Sequence, residues 1–566
     1  MSIPPAPVLI LGAGINGICV ARELVLNGVP VWLVDTHDIA FGATAKSSRL
    51  IHGGLRYLEY GDFRLVAESL HERDRLLRLA PQFVKPLQLH IPVRRRLGGF
   101  IAAGLRFLGL SRTRLGKWIG SGGGRGLWTV RFGLWLYDWL ARSDLVPRHE
   151  VHRTGEGGPL FPATEYPWSC AYFDGQMERP ERFCLALLKD IEATARKQGT
   201  EFRLLTYHRA LLQGNQIELH PVPIPSSSPP LPLSPPPLLL SPSLLINATG
   251  AWGDWTLQDL PVPAPQLLGG TKGSHLFTQQ AGLIEALGGD AVYAEASDGR
   301  LVFLIPLDSG VMIGTTDERF DQRPELAHST ESETAYLLKL TNDLFPQVHL
   351  TEADIHATCA GIRPLPYSAA SKTAAISRDH QIDRREVNGL SVLTLIGGKL
   401  TTCRAFGELV GDQVLQQFGV ARTVSTRERL VPGAEGYPVD QAALEREIEA
   451  LAESTGHSPE TCRAVWRLVG TQAREIFPRC TAGALIEGTA LPRDFVRKLI
   501  EDEWVTTLED LVERRLLLAL EPKLSRETLA DLAGLLTEEK PGPGSVPEMV
   551  ERTERRLRDY YGRQEV

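Results

Sequence analysis

The chain has 566 residues, a formal net charge of -7 and seven cysteines. This length exceeds what one hydrophobic core holds, so we expect two or three domains, and the mildly acidic charge argues against nucleic acid as a partner. The scattered cysteines form no C-x-x-C pair, which argues against zinc, iron–sulfur and disulfide sites and suits a cytoplasmic protein. We find neither a signal peptide nor an apolar run of about 18 residues.

The first 35 residues carry a nucleotide-binding pattern. An apolar run at 8–11 is followed by G-x-G-x-x-G at 12–17, a helical segment ending at Gly28, and a second apolar run ending in Asp35. The glycines allow a tight turn, close approach of a pyrophosphate to the helix N-terminus, and packing of helix on strand. A carboxylate at this distance suits ribose hydroxyls. The pattern predicts a dinucleotide site for NAD or FAD, and its N-terminal position, with later segments returning to it, favours a flavin.

A second unusual stretch is SSRLIHGGLRYLEYG at 47–61. Adjacent glycines are poor helix and strand formers, so Gly53 and Gly54 predict that the backbone passes close to a ligand. The alternative is a structural turn followed by a surface Arg56. Nearby hydroxyl groups that could bind a pyrophosphate or the flavin edge belong to Thr44, Ser47 and Ser48.

Several motifs further along the chain, together with the two described above, match one protein family. The matching pieces, in order, are GAGINGICVAREL (12–24), SSRLIHGGLRYLE (47–59), NATGAW (247–252), KGSH (272–275), IGTTD (313–317), GIRPL (361–365), GGKLTT (397–402) and EDEWVTTLEDLVERR (501–515). Together they resemble the FAD-dependent glycerol-3-phosphate dehydrogenases, of the aerobic, membrane-associated kind. The resemblance covers nearly the whole chain.

The resemblance implies an α/β fold, α+β overall: a Rossmann-like, doubly wound FAD-binding domain interleaved with a mixed-sheet substrate domain, then an all-helical C-terminal domain. We expect the oxidoreductase region at 1–433, with FAD-binding segments at about 1–90, 165–215, 244–275 and 355–425. The substrate segments are expected at about 80–165 and 265–355. A Pro-rich insertion at 221–243, with ten prolines between Pro221 and Pro242, predicts an exposed polyproline-like loop.

Helical spacing of apolar residues predicts helices throughout 434–545, with Ser458–Pro459 and the pair Thr507 and Asp510 as helix starts. The charged tail at 546–566 predicts a solvated helix.

The implied reaction is oxidation of sn-glycerol 3-phosphate to dihydroxyacetone phosphate, with a hydride passing from C2 to N5 of FAD and the electrons passing on to a membrane quinone. A phosphate dianion calls for cations. The expected catalytic residues are His275, Arg363 and Lys399. The expected substrate-binding residues are Arg56, Tyr57, Thr316, Arg363, Arg378 and Lys399.

His275 is the most obvious base near neutral pH, although a buried and satisfied histidine is the alternative. The expected cofactor-binding residues are Gly12, Gly14, Asn16, Gly17, Asp35, Thr44, Ser47, Ser48, His52, Gly53, Gly54, Ala248, Thr249, Gly250, Gly361, Gly398, Lys399, Leu400 and Thr401.

The stretch from Arg94 to Tyr137 holds eight Arg, one Lys, several aromatic residues and no Asp or Glu. Cations and aromatic rings together suit an interfacial membrane surface, so we expect a peripheral protein on the cytoplasmic side of the cell membrane. A basic outer face over ordinary core aromatics is the alternative. The oligomeric state, including a homodimer, stays open.

Three rival functions share this sequence pattern. One is an oxidase that uses O2 as the electron acceptor, and another is an FAD-dependent amine or hydroxyacid oxidoreductase on the same fold. The third is a vestigial flavoprotein that acts as a membrane-surface interaction module.

Overall fold

The computed structural model describes residues 6–58, 61–96, 126–214, 216–223, 236–296, 299–368, 379–540 and 544–563, except for the side chain of Arg56. The strands are β1 (Val8–Leu11), β2 (Val31–Val34), β3 (Leu50–Ile51), β4 (Val84–Val93), β5 (Glu150–Arg153), β6 (Trp168–Met177), β7 (Phe202–Leu205), β8 (His208–Gln213), β9 (Gln216–Pro221), β10 (Leu238–Leu240), β11 (Leu244–Asn247), β12 (Thr271–Thr278), β13 (Ala291–Glu295), β14 (Leu301–Leu307), β15 (Gly310–Gly314), β16 (Glu318–Arg319), β17 (Ile355–Arg363), β18 (Gln381–Val387) and β19 (Leu390–Ile396).

The α-helices are α1 (Ile15–Leu26), α2 (Leu55–Leu58), α3 (Phe63–Leu79), α4 (Leu127–Ala141), α5 (Pro180–Gln198), α6 (Gly253–Asp259), α7 (Ala281–Leu287), α8 (Glu331–Leu344), α9 (Cys403–Phe418), α10 (Gln441–Thr455), α11 (Pro459–Val469), α12 (Ala473–Ile476), α13 (Arg493–Asp502), α14 (Leu508–Asp510), α15 (Arg526–Glu539) and α16 (Val546–Tyr561). Within the described ranges, none of the helices combines the length and the apolar character needed to cross a bilayer.

The first sheet has the strand order β18-β19-β11-β1-β2-β7 and is parallel except for the β18–β19 pair. Its central strands are apolar and fully buried because α1, α5 and α9 cover one face, while the small sheet of β8, β9 and β10 and helix α6 cover the other. This arrangement confirms the predicted doubly wound domain. It also brings the ends of β1, β2 and β11 to one edge of the sheet, where a nucleotide site is expected.

The second sheet is mixed, as predicted. In it β4 pairs antiparallel with β6 and parallel with β13, while β12 pairs antiparallel with β15, β16 and β17. The β12–β17 register places Thr271 opposite Arg363 and His275 opposite Cys359. Two motifs separated by about 90 residues of chain are therefore neighbours.

The Pro-rich insertion differs in part from the loop that its composition predicts. Leu238–Leu240 forms a strand, because its backbone pairs antiparallel with β9 in a small sheet of β8, β9 and β10. Residues 224–235 lie outside the described ranges.

The helical C-terminal region agrees with its predicted helix starts. Ser458 accepts a hydrogen bond from the backbone N–H of Thr461, and Thr507 forms a capping box with Asp510. The tail differs from the solvated helix predicted for it. Met549, Val550 and Leu557 of α16 are buried in the same hydrophobic cluster as the preceding helices, because the apolar residues of the tail share one face.

A buried ionic cluster joins this helical region to the nucleotide-binding domain. Asp38, fully buried just after β2, accepts hydrogen bonds from Arg515 at 2.6 and 2.8 Å and from Arg514 at 2.5 Å. Burial alone would raise the pKa of Asp38, but the two guanidinium groups outweigh it and hold this pKa below its usual value. Both guanidinium groups are also buried, so each charge depends on the others for stabilisation.

Asp38→Asn should lower the free energy of unfolding by about 3–5 kcal/mol, because buried Arg515 loses its carboxylate partner and Arg514 is left with Asp510 and Glu513. Chemical denaturation checks this value. Asp379→Asn is the matched control, since Asp379 pairs with Arg64 at the surface and its loss should cost under about 1 kcal/mol. Equal losses in the two variants would contradict a structural role for the cluster.

Candidate active site

A cavity of about 1090 Å³ opens between the two sheets. This volume is at the upper end of ligand pockets, which suits an extended dinucleotide together with a small substrate. Predicted residues that line the cavity are Gly12, Gly14, Asn16, Asp35, Thr44, Ser47, Ser48, His52, Gly54, Tyr57, Ala248, Thr249, Gly250, His275, Gly361, Arg363, Gly398, Lys399, Leu400 and Thr401.

The glycines of the turn between β1 and α1 allow close packing of the backbone. Gly12 has a φ of +107°, and a Cβ at this position would lie 2.5 Å from the carbonyl oxygen of Ala248. A Cβ on Gly17 would lie 1.9 Å from the carbonyl oxygen of Gly12, which explains why Gly17 packs behind the turn and does not line the cavity. Gly14 faces the hydroxyl group of Thr44, which accepts a hydrogen bond from the backbone N–H of Ile15.

Asp35 is held at the end of β2 by two backbone N–H groups, those of Ala13 at 2.7 Å and His37 at 2.8 Å. Burial raises its pKa to about 6, although both hydrogen bonds act in the opposite direction. The carboxylate lines the cavity and retains acceptor sites, since an ionised carboxylate accepts about four hydrogen bonds. It can therefore accept hydrogen bonds from a ribose diol.

The turn after β19 closes the opposite part of the cavity. Asn16, in the first helix, donates a hydrogen bond to the carbonyl oxygen of Gly397 at 3.3 Å. Gly398 has a φ of +89°, and a Cβ there would lie 2.4 Å from the amide nitrogen of Asn16. Thr401 accepts a hydrogen bond from the backbone N–H of His52 at 3.1 Å. The two glycine motifs and the His52 segment thus form one continuous wall.

His275 is buried on β12, with its Nε2 3.2 Å from the hydroxyl of Ser48 and its Nδ1 3.9 Å from the sulfur of Cys359. Burial lowers its pKa to about 3, and the positive charges of Arg363 and Arg49 lower it further. The ring is therefore neutral at physiological pH and can accept a proton in principle.

Arg363 is fixed at the end of β17 by contacts to the IGTTD motif. Its guanidinium group donates to Asp317 at 3.2 Å, to the hydroxyl of Thr315 at 2.9 Å and to the carbonyl oxygen of Thr316 at 3.2 Å. These contacts orient a planar, permanently charged group at the cavity wall. Lys399 lines the same cavity, with its Nζ 4.1 Å from the ring centre of Tyr57.

Other predicted residues occupy different places. The hydroxyl of Thr316 is buried behind the wall, where it donates to Glu333 and accepts from the backbone N–H of Ser274. Gly53 faces away from the cavity, since a Cβ there would lie 2.6 Å from the Tyr137 hydroxyl. Arg378 and the side chain of Arg56 lie outside the described residues.

Several lining residues were missed by the sequence reasoning. They include His37, Phe41, Lys46, Trp252, Tyr293, Arg300, Phe303, Thr315, Asp317 and Glu325. Thr315 and Asp317 belong to the IGTTD motif at 313–317, and this motif could have indicated that they line the cavity. Arg300 and the stacked pair Tyr293 and Phe303, whose ring centres are 4.4 Å apart, reach the cavity only through the pairing of β13 with β14.

The sequence matches the pattern of the FAD dependent oxidoreductases over residues 7–413. A glycerol-3-phosphate dehydrogenase from Synechocystis is 31% identical over 540 residues, covering 90% of this chain and 88% of the relative. One from Pseudomonas aeruginosa is 31% identical over 521 residues, covering 91% and 92%. The chain belongs to the FAD-dependent glycerol-3-phosphate dehydrogenase family. A D-erythritol 1-phosphate dehydrogenase from Brucella abortus is also similar, at 27% identity over 521 residues, covering 89% of this chain and 93% of that protein.

The fold agrees with a solved structure of a family member. The glycerol-3-phosphate dehydrogenase from Bacillus halodurans, complexed with FAD, superposes with a TM-score of 0.69 at 20% identity, covering 98% of this chain and 95% of that chain. FAD is the cofactor of this family, and the residues present here fit it. The Gly12 turn leaves no room for a side chain, and the buried Asp35 carboxylate stands where the adenosine ribose is expected.

Asp35→Asn should raise the dissociation constant for FAD about tenfold to a hundredfold, because an amide replaces a charged acceptor for the ribose hydroxyls. Wild-type affinity should also fall below pH 6, since the free carboxyl has a pKa of about 6 and its protonated form is the weaker acceptor. FAD titrated into apoprotein, followed by flavin fluorescence, measures both effects.

Asp259→Asn is the matched control, because Asp259 lines the same cavity but forms an exposed ion pair with Arg209. Its FAD affinity and pH dependence should stay at wild-type values. An Asp35→Asn variant with unchanged affinity would place the ribose elsewhere.

Proposed function

We propose that the protein oxidises sn-glycerol 3-phosphate to dihydroxyacetone phosphate and passes the electrons to a membrane quinone. Bound FAD supplies the acceptor for the hydride that leaves C2. The observation that carries the proposal is Arg363, a fixed guanidinium group at the wall of a flavin cavity and on a strand paired with that of His275. The substrate named for the 31% identical relatives carries a phosphate, which such a group binds well.

The phosphate would bind where the positive charges converge. Arg363 is oriented by Asp317, and Lys399 lines the same cavity, so we assign the dianion to Arg363 and name Lys399 as the second cation available to it. The ion pair with Asp317 keeps the guanidinium plane fixed before substrate arrives, which reduces the ordering that binding requires.

The proton of the C2 hydroxyl would pass to Nε2 of His275. A pKa of about 3 makes His275 a weak base in the free protein, mainly through burial and secondly through Arg363. A substrate phosphate bound to Arg363 would offset the positive charge of Arg363. It would thereby raise the pKa of His275 toward the range useful for catalysis. Ser48 would steer the ring, because its hydroxyl lies 3.2 Å from Nε2.

The membrane partner is supported by the outer face of α4. Four rings at helical spacing are each about half exposed there: Trp128, Phe132, Trp135 and Trp139. Arg131 and Arg142 lie over two of these rings, at 5.7 and 5.4 Å from their centres. Tryptophan rings next to arginines are typical of proteins that bind the headgroup region of anionic bilayers, which is where a quinone acceptor would be reached.

Arg363→Ala should lower kcat/KM for sn-glycerol 3-phosphate about a hundredfold to a thousandfold, because a buried charge contact to the substrate is lost. It should leave the visible absorbance of FAD intact and abolish the preference for the phosphorylated substrate over glycerol. Anaerobic bleaching of the flavin, with recovery on adding a quinone analogue, measures turnover.

Arg319→Ala is the control, since Arg319 lies on the neighbouring strand β16 and donates to the carbonyl oxygen of Ser368 outside the cavity. Loss of flavin from the Arg363 variant would mean a structural role. Bleaching by erythritol phosphate rather than glycerol 3-phosphate would change the substrate, and rapid recovery in air without quinone would favour an oxidase.

Replacing Trp128, Trp135 and Trp139 by Ser should release the protein from phosphatidylglycerol vesicles, because the rings are the apolar part of the proposed contact. Reversing the charges of Arg94, Arg95 and Arg96 should do the same at low salt. Sedimentation with vesicles measures binding. Val439→Ser, which removes a 93% exposed apolar residue elsewhere, should bind as the wild type does. Unchanged sedimentation of the triple Trp variant would overturn the membrane proposal.

A further inference from the structure

Helix α4 has two different faces. Its outer face carries the four half-exposed rings described above, while its inner face is buried against α2, α3 and β6. The buried residues of the inner face are Val130, Leu134, Tyr137 and Ala141. Tyr137 is the polar member of this set, and its hydroxyl group reaches the segment that walls the cavity.

The Tyr137 hydroxyl links that segment to a buried charge pair. It accepts a hydrogen bond from the backbone N–H of Gly53 at 2.8 Å and lies 2.8 Å from both carboxylate oxygens of Asp174. Arg73 donates to Asp174 at 3.1 Å, and the side chains of all three partners are about 1% exposed. Burial raises the pKa of Tyr137 well above its usual value, so the hydroxyl is protonated and donates to the carboxylate.

The close contact between Gly53 and the Tyr137 hydroxyl requires a residue without a side chain. A Cβ at Gly53 would lie 2.6 Å from the Tyr137 oxygen and 2.7 Å from Leu70, so a larger residue would force Tyr137 away. The residues on either side, His52 and Gly54, line the cavity. The N–H group of His52 is thus held by Thr401, and that of Gly53 by Tyr137 at 2.8 Å, with a longer contact to Asp174 at 3.5 Å.

We propose that Tyr137 is a positioning residue that fixes the His52–Gly54 segment, so that docking of the outer face of α4 on an anionic lipid surface is transmitted to the cavity wall. The transmission from α4 to the cavity wall rests on the membrane contact proposed above. The hydrogen bond from Gly53 is 2.8 Å long, and such bonds weaken steeply as they lengthen toward about 3.5 Å. A shift of α4 by less than about 1 Å would therefore loosen the segment, and docking would prevent such shifts by holding α4 in the position that keeps this bond short.

Hydrogen exchange on the FAD-loaded protein tests the proposal, because the Gly53 amide itself is the reporter. In Tyr137→Phe, peptides covering residues 50–58 should exchange about fivefold faster than in the wild type, because the Gly53 N–H loses its shorter hydrogen bond and keeps only the 3.5 Å contact to Asp174. Tyr172→Phe is the matched control. Its ring contacts that of Tyr137 at 5.8 Å and is equally enclosed, but no hydrogen bond joins it to Gly53.

Vesicles of phosphatidylglycerol and phosphatidylethanolamine test the transmission. They should slow exchange at residues 50–58 in the wild type and in Tyr172→Phe, and leave it unchanged in Tyr137→Phe, while all three proteins sediment equally. If Tyr137→Phe does not fold, Asp174→Asn serves instead, because it keeps the Tyr137 hydroxyl but weakens its anchor.

The outcomes distinguish the positioning role of Tyr137, the transmission from the membrane and the membrane contact itself. Wild-type exchange in Tyr137→Phe, or equally fast exchange in both Phe variants, overturns the positioning role. A wild type that sediments without a change in exchange overturns the transmission but leaves the membrane contact and the substrate intact. A wild type that does not sediment overturns the membrane contact, and Tyr137 is then judged from the exchange without vesicles. Flavin bleaching by glycerol 3-phosphate reports separately on the oxidation.

Discussion

The antiparallel pairing of β12 with β17 is the constraint on which the site depends. In this register Gly273 lies opposite Gly361, and neither position has room for a side chain. A Cβ on Gly273 would lie 2.2 Å from the guanidinium group of Arg363, and one on Gly361 would lie 2.9 Å from the Cβ of Lys46. The paired glycines thus allow the guanidinium group of Arg363 and the backbone of Lys46 to approach the strands closely. Because His275 lies further along the same pair, one backbone register sets the relative positions of the imidazole and the guanidinium group.

This register explains why the electrostatics of the site are coupled. Arg363 is near enough to His275 to lower its pKa, and Asp317 partly balances the same guanidinium group. Any ligand anion that binds Arg363 therefore also changes the proton affinity of the imidazole. Anion binding at Arg363 and the pKa of His275 are therefore coupled without a conformational change, because both groups are fixed on one sheet.

The sequence predicted the parts of the protein that local rules determine. The Gly12 turn, the acid at Asp35 and the N-cap at Ser458 each depend on residues within one or two neighbouring elements, and the structure has them as expected. The partner of Gly53 could not be predicted, since Tyr137 is 84 residues away and reaches it only through tertiary packing. The same holds for Arg300, which lines the cavity because of the hairpin of β13 and β14. For Gly53 the sequence predicted close approach of the backbone to the cofactor, whereas the structure shows Gly53 packed against a tyrosine hydroxyl outside the cavity lining.

The ion cluster at Asp38 has a consequence for how the protein is made. Its partners Arg514 and Arg515 lie 476 and 477 residues further along the chain. At a synthesis rate of about 5–20 residues per second, the loop after β2 waits roughly 24–95 seconds on the ribosome before its counter-charges emerge. During this interval the strands of the nucleotide-binding domain can pair, but the buried carboxylate has no guanidinium groups to neutralise it. The junction between the nucleotide-binding domain and the helical region is therefore completed late, after translation has passed Arg515.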